Sequence, residues 1–90
     1  FPNPFADEVR LAYNLPRAGA VNIAVYNESG EEVWSMSEDS LEIGYNAVTW
    51  DGYDRNGNRV SSGIYRCIIY SRDESGIYSV LYGTFVKAGN

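Results

Sequence analysis

Histidine does not occur in this 90-residue chain. Its absence removes the commonest general base, the usual zinc ligand and every Ser–His or Cys–His nucleophile arrangement. The single cysteine, Cys67, cannot close an internal disulfide. It lies in the apolar run IYRCIIY and reads as a small buried hydrophobe. Lack of disulfides leaves secretion open, because a core of this size need not be stapled. Lysine occurs once, as Lys87, against six arginines, and twelve acids outnumber the seven basic residues for a net charge of −5 and a pI of about 4.5. The acids read as spread along the chain, and no basic stripe tracks a phosphate backbone or an anionic bilayer, so nucleic acid and membrane are not expected as partners. No apolar run approaches the roughly 18 residues of a membrane-spanning helix. There is no initiator Met and no signal peptide, and the chain opens on Phe1-Pro2-Asn3-Pro4-Phe5. That opening suggests a domain cut from a longer protein.

What is present is β-structure. Ninety residues make one domain, spanning 1–90, that buries roughly 60–65% of its unfolded surface around a thin core. Eight tyrosines suit half-buried pleated surfaces, ring inside and hydroxyl at the edge. Alternation with period two runs through Val9, Leu11, Tyr13 and Leu15, and again through Val21, Ile23 and Val25. Pro16 and Gly19 separate those two strands, and Asn27-Glu28-Ser29-Gly30 forms a hairpin loop leading to a third strand, Glu32 to Met36. Residues 37–44 are polar and read as a loop or short crossover before a strand from Tyr45 to Trp50. Gly63 to Ser71, apolar on nearly both sides, reads as a central strand. A second hairpin loop, Ser71 to Gly76, precedes a last strand from Ile77 to Val86, in which Gly83 suggests a bulge or a close backbone approach. The pattern predicts an all-β, Ig-like antiparallel β-sandwich of about seven strands.

Between the two most aromatic strands runs Trp50 to Tyr65, WDGYDRNGNRVSSGIY. Calcium loops place oxygen ligands at alternate positions with a Gly at the sixth. Aligning Gly57 with that Gly puts Asn56 and Asp54 in the fifth and third places, but the first falls on Gly52 and no Glu follows at the required distance. At most a weak cation site at Asp51, Asp54 and Asn56 survives. The simpler reading is a turn in which Asp54 bonds the backbone and Asn56-Gly57 supplies a positive-φ corner. Paired carboxylates for glycoside hydrolysis could be drawn from Glu28, Glu31, Glu42, Asp73 and Glu74, yet each falls in a predicted loop or at a strand edge and reads as solvated surface. No catalytic, cofactor-binding or metal-binding residue is assigned. Tyr26, Tyr45, Tyr53, Tyr70, Tyr78 and Tyr82 cannot all be core. A planar row of exposed rings would stack on sugars, as in a carbohydrate-binding module. The alternative is packing against a neighbouring domain or cross-strand side chains.

Four segments, taken in order, resemble a known family. Phe1-Pro2-Asn3-Pro4-Phe5 resembles the (F/Y)PNPF start of C-terminal modules in bacterial secreted proteins. Leu15-Pro16-Arg17-Ala18-Gly19, followed by Val21 to Asn27, resembles their LPxxGxVxIxIYd segment, and Ser29-Gly30-Glu31-Glu32-Val33 their xGxxV hairpin. Gly44-Tyr45-Asn46, Val48-Thr49-Trp50-Asp51-Gly52, Asn56-Gly57, Val60 and Ser62-Gly63-Ile64-Tyr65 resemble GxHxVxWDGxDxxGxxVxSGvY, with Asn46 in place of a frequent His. The chain is similar to the Ig-like domain named for the flagellar hook-capping protein, a family overlapping with the C-terminal sorting domains of type IX secretion. The resemblance implies a non-catalytic module at the C-terminus of a larger extracellular or cell-surface protein, serving sorting, surface attachment or domain spacing and assembly. Its implied partners are the other domains of the parent protein and secretion or anchoring machinery. Sorting domains finish with an apolar strand closed by a basic residue. Gly83-Thr84-Phe85-Val86-Lys87 takes that form loosely, and Ala88-Gly89-Asn90 trails beyond it.

Overall fold

The computed structural model describes residues 8–88. Six strands follow one another: β1 (Val9–Leu15), β2 (Gly19–Tyr26), β3 (Glu32–Leu41), β4 (Gly44–Trp50), β5 (Gly63–Asp73) and β6 (Tyr78–Lys87). They form two antiparallel sheets, one of two strands, β1-β4, and one of four in the order β3-β2-β5-β6. The all-β Ig-like sandwich expected from the alternation is the fold, with six strands among the described residues where about seven were expected. The Phe1–Phe5 segment lies outside the described residues.

Each sheet turns one face inward, and the period-two pattern selects which. Val9, Leu11, Tyr13 and Leu15 of β1 are buried and meet Val21, Ile23 and Val25 of β2 and Tyr65, Cys67 and Ile69 of β5 in one core. At its centre Trp50 and Phe85 are fully buried. Trp50 lies edge-on to Tyr65 at 5.8 Å and to Phe85 at 5.9 Å, while Trp34 stacks beside it at 6.1 Å. Edge-to-face aromatic contacts of this kind add about 0.5–1.5 kcal/mol each beyond the area they bury. Trp50 and Tyr65, at the two ends of the long turn, therefore touch each other. Trp50 Nε1 donates to the Tyr53 carbonyl at 3.0 Å, and the Tyr65 hydroxyl donates to the Ser61 carbonyl four residues upstream. Both polar tips are satisfied at the ends of one loop, much as a tyrosine corner does in Ig-type sandwiches.

Two expectations are corrected. Residues 37–41 are strand rather than loop: β3 continues to Leu41, with Glu38 opposite Val21 and Leu41 opposite Gly19, and the connection shrinks to Glu42 and Ile43. The ladder bonds are made by backbone, and β3 is an edge strand, so the exposed Ser37, Glu38 and Asp39 side chains do not prevent pairing. Gly83 makes no bulge: it faces Cys67 in a register that runs unbroken from Gly63↔Lys87 to Arg72↔Tyr78. The irregularities fall instead between β2 and β3, at Gly19/Val21 and Val25/Tyr26, and each inserts its extra residue into β3. Gly19 makes a close backbone approach: a Cβ there would overlap the Arg72 carbonyl oxygen.

The Trp50–Tyr65 stretch carries the chain from the small sheet to the large one. It folds on itself through a Tyr53↔Arg59 bridge and a Val60 N–H to Gly52 carbonyl bond of 2.9 Å. Val60 is buried beneath it. The Arg55 amide reaches the Val33 carbonyl at 3.1 Å and its guanidinium pairs with Glu32, which ties the turn to β3.

Candidate functional site

The acidic loop is a turn. One Asp54 carboxylate oxygen accepts the Asn56 and Asn58 amides, both at 2.9 Å, and Gly57 takes φ +83°. Asp51 accepts the Tyr53 amide at 3.1 Å. These carboxylates stabilise a backbone that Gly57 permits, as the turn reading requires. Among the described residues no three His, Cys, Asp or Glu side chains are grouped as metal ligands.

Three of the other acidic candidates, Glu28, Glu31 and Asp73, also hold loops and turns. Glu28 reaches across 36 residues to accept the Ile64 amide at 2.8 Å, so the β2–β3 loop anchors the start of β5. Glu31 accepts the Asn27 side-chain amide. Asp73 accepts the Ser75 and Ile77 amides through one oxygen, while its other oxygen, buried and without a hydrogen bond, lies 3.5 Å from the Arg17 guanidinium. Folding brings Asp39, Glu42, Asp73 and Glu74 around one recess at the end of the sandwich, with Arg72 among them. Nothing in the sequence pattern links β3 to the β5–β6 turn, because the contact depends on sheet order. Cys67 is fully buried, and burial pushes its thiol up from an ordinary 9.0 to about 11, which leaves it protonated and unreactive at neutral pH.

The six surface tyrosines do not form one row. Tyr45 lies on β4 under the Arg10 guanidinium, at 5.3 Å, and Tyr53 lies in the long turn under Arg59, at 5.5 Å. Tyr26, Tyr70, Tyr78 and Tyr82 share the outer face of the four-stranded sheet, where Ile68 stands opposite Ala24 and Tyr82, and Tyr70 opposite Asn22 and Val80. Tyr70 and Tyr78 meet at 5.0 Å with planes tilted by 37°, so they form a ridge rather than a flat platform. Beside it Tyr82 is 78% exposed, and Ile64, beyond Arg66 at the other end of the same face, is 50% exposed. A shallow groove runs between Tyr26, Arg66, Ile68, Tyr82 and Thr84. Contiguous apolar surface of this kind is where soluble domains meet partners. The apolar second side of β5 was visible in the sequence. That it stands open to solvent was not.

Charge is also less evenly spread than the sequence reading holds. Residues 1–54 carry ten acids against two arginines and residues 55–90 two acids against five basic residues, so the overall −5 divides into −8 and +3. Six of the acids, Glu28, Glu31, Glu32, Glu38, Asp39 and Glu42, lie on β3 and its flanking turns. Arg66 and Arg72 are exposed on the outer side of β5, two places from β3 in the strand order, and neither is ion-paired among the described residues.

A family model described as the FlgD Ig-like domain matches residues 5–75. Among solved structures, FlgD from Xanthomonas campestris, described as bearing on the hook capping essential for flagellar assembly, superposes with a TM-score of 0.75 at 28% identity, over 93% of this chain and 60% of that one. FlgD from P. aeruginosa gives a TM-score of 0.75 at 26% identity, over 87% of this chain and 61% of that one. Truncated FlgD from Helicobacter pylori, at 21% identity and a TM-score of 0.66, covers 93% of this chain and 62% of that one, and shares the fold. The chain thus spans about three fifths of the length of these relatives. No curated protein matches the sequence.

Proposed function

The chain belongs to the FlgD Ig-like domain family, and we propose that it acts as a non-catalytic accessory module of a secreted or cell-surface bacterial protein, serving assembly, domain spacing or surface attachment. The observation that carries this reading is the family match along most of the chain. The side-chain chemistry agrees with it: the loop carboxylates described above hold turns together, and the thiol is sealed in the core. The exposed apolar face of β5 and β6 supplies a surface for meeting other domains of the parent protein.

Deleting residues 1–90 from the parent protein tests the role. Loss of assembly or of surface retention, with any activity of the remaining domains intact, is the expected result. Unchanged assembly and attachment together with a lost enzymatic activity would reject it. Sorting through type IX secretion is one form of the same role, motivated by the Gly83–Lys87 ending. Residues 1–90 fused to a reporter should be exported from a type IX-competent host, and periplasmic retention would eliminate sorting while leaving attachment and spacing.

A further inference from the structure

The two edges of the four-stranded sheet differ. The β3 edge carries both irregularities and the exposed acids Glu32, Glu38 and Asp39, the devices by which natural sheets prevent a further strand from adding. The Tyr78–Thr84 stretch of β6 has none of them. Its register with β5 is unbroken, it contains no proline and no charge, and among the described residues its only strand partner is β5. An uncharged edge in unbroken register, without proline, is a template for β-augmentation, in which backbone bonds hold the incoming strand and alternate side chains select it.

We propose that Tyr78–Thr84 receives an extended segment of another polypeptide, acidic at both ends and apolar between. The side chains flanking the edge define that pattern. On the outer face Tyr78, Val80, Tyr82 and Thr84 follow one another along β6. Arg72 stands opposite Tyr78 and Arg66 opposite Thr84, so two exposed guanidinium groups bracket the stretch, about 20 Å apart at the usual strand rise. A strand laid beside β6 lies two strand spacings from β5, roughly 10 Å, a span that an extended arginine and an extended glutamate bridge together across Tyr78 and Thr84, so its first and seventh residues face the two cations and the Val80 and Tyr82 side chains fall between them. On the inner face Leu81, 44% exposed, calls for an apolar residue at the fourth position. The incoming segment therefore reads acid-x-apolar-apolar-apolar-x-acid.

A second copy of this chain fits less well. A second β6 edge offers no acid to either arginine, and the acidic β3 strand is interrupted by its two extra residues. The proposal deepens the module reading above and rests on it, because it names the partner chemistry of the same surface.

The test uses the isolated 90-residue chain and two synthetic peptides, Glu-Thr-Ile-Val-Ile-Thr-Glu and its counterpart with Lys at both ends. Amide shift perturbation by NMR should place the Glu peptide on β6 and on the outer face of β5. The Lys peptide should bind at least tenfold more weakly. The double variant Arg66→Glu/Arg72→Glu, altered only at exposed positions, should invert that preference, and raised salt should weaken binding of the Glu peptide. Equal affinity for the two peptides, no binding at millimolar concentration, perturbation on another surface, or concentration-dependent pairing of two copies through β6 would each overturn the proposal. A parent protein that still assembles when it carries the double variant would overturn the edge assignment and leave the module reading standing.

Discussion

The two faces of β5 both carry isoleucine and tyrosine, and those residues meet opposite fates. Inward, Tyr65, Cys67 and Ile69 are buried against β1 and the Trp50–Phe85 cluster. Outward, Ile64 stands in solvent at one end of the strand and Tyr70 toward the other, near Tyr78 and Tyr82 of β6, with exposed Arg66 and half-buried Ile68 between them. Arg66 and Arg72 mark the outer face as the polar one, but the isoleucines and tyrosines themselves do not declare which side is covered. The second layer does: β1 and β4 cover one side of the four-stranded sheet, and no described strand covers the other. Apolar residues with a layer above them contribute to stability, whereas those without one are available for recognition.

Substitutions on the two faces should therefore differ in kind. Phe85→Ala removes the largest inward ring of β6 and should cost about 3–5 kcal/mol, enough to abolish or sharply lower the cooperative urea transition. A loss below about 1 kcal/mol would mean that the inner face is not the core described here. The second test asks whether the inner face is dry. Below pH 9 the Cys67 thiol is protonated in both folded and unfolded chains and has no effect on the pH dependence. Between pH 9.0 and about 11 the unfolded chain gives up a proton that the buried thiol retains. Stability should then fall as pH rises, by on the order of 2 kcal/mol across the window. Cys67→Ala should flatten that part of the profile relative to the parent chain, and an identical alkaline slope in the two proteins would contradict the burial. Gly57, on neither face, calibrates the comparison. Gly57→Val forces a branched side chain to φ +83° with open space around it, so the expected cost of about 1–2 kcal/mol is backbone strain alone. An unchanged melting temperature would show that the turn relaxes. Tyr82→Ser on the outer face should stay within about 0.5 kcal/mol in the same denaturation experiment. A large loss there would assign the ring to the core and remove the contrast.

The inward pattern was legible because alternation is local: Val9 to Leu15 and Val21 to Val25 declare their faces within a few residues. The positive-φ corner at Gly57 and the Asp54 turn were legible for the same reason, since every bond they make spans four residues or fewer. What stayed hidden depends on partners distant in sequence. Residues 37–41 look like a loop until Gly19 and Val21 are beside them to accept a polar edge strand. Gly83 looks like a bulge until Cys67 is found in register opposite. The open tyrosine face and the acidic recess around Asp73 follow from the order β3-β2-β5-β6, and strand order is not encoded in any single window.

That order also governs how long the chain takes to fold. The β2–β3 and β5–β6 hairpins join neighbours in sequence, but the seam between them pairs Gly19 with Asp73 and Tyr26 with Arg66, and the second sheet pairs Val9 with Trp50. Closing such distant pairings has an entropic cost that is recovered only once they are made, which places sandwiches of this kind among milliseconds-to-seconds folders. Closing the β2–β5 seam sets Ile23, Val25, Cys67 and Ile69 side by side on one face, which stays open until β1 and β4 dock over it. The docking of the small sheet is therefore the step that hides the core, and a nascent chain is most vulnerable to self-association just before it.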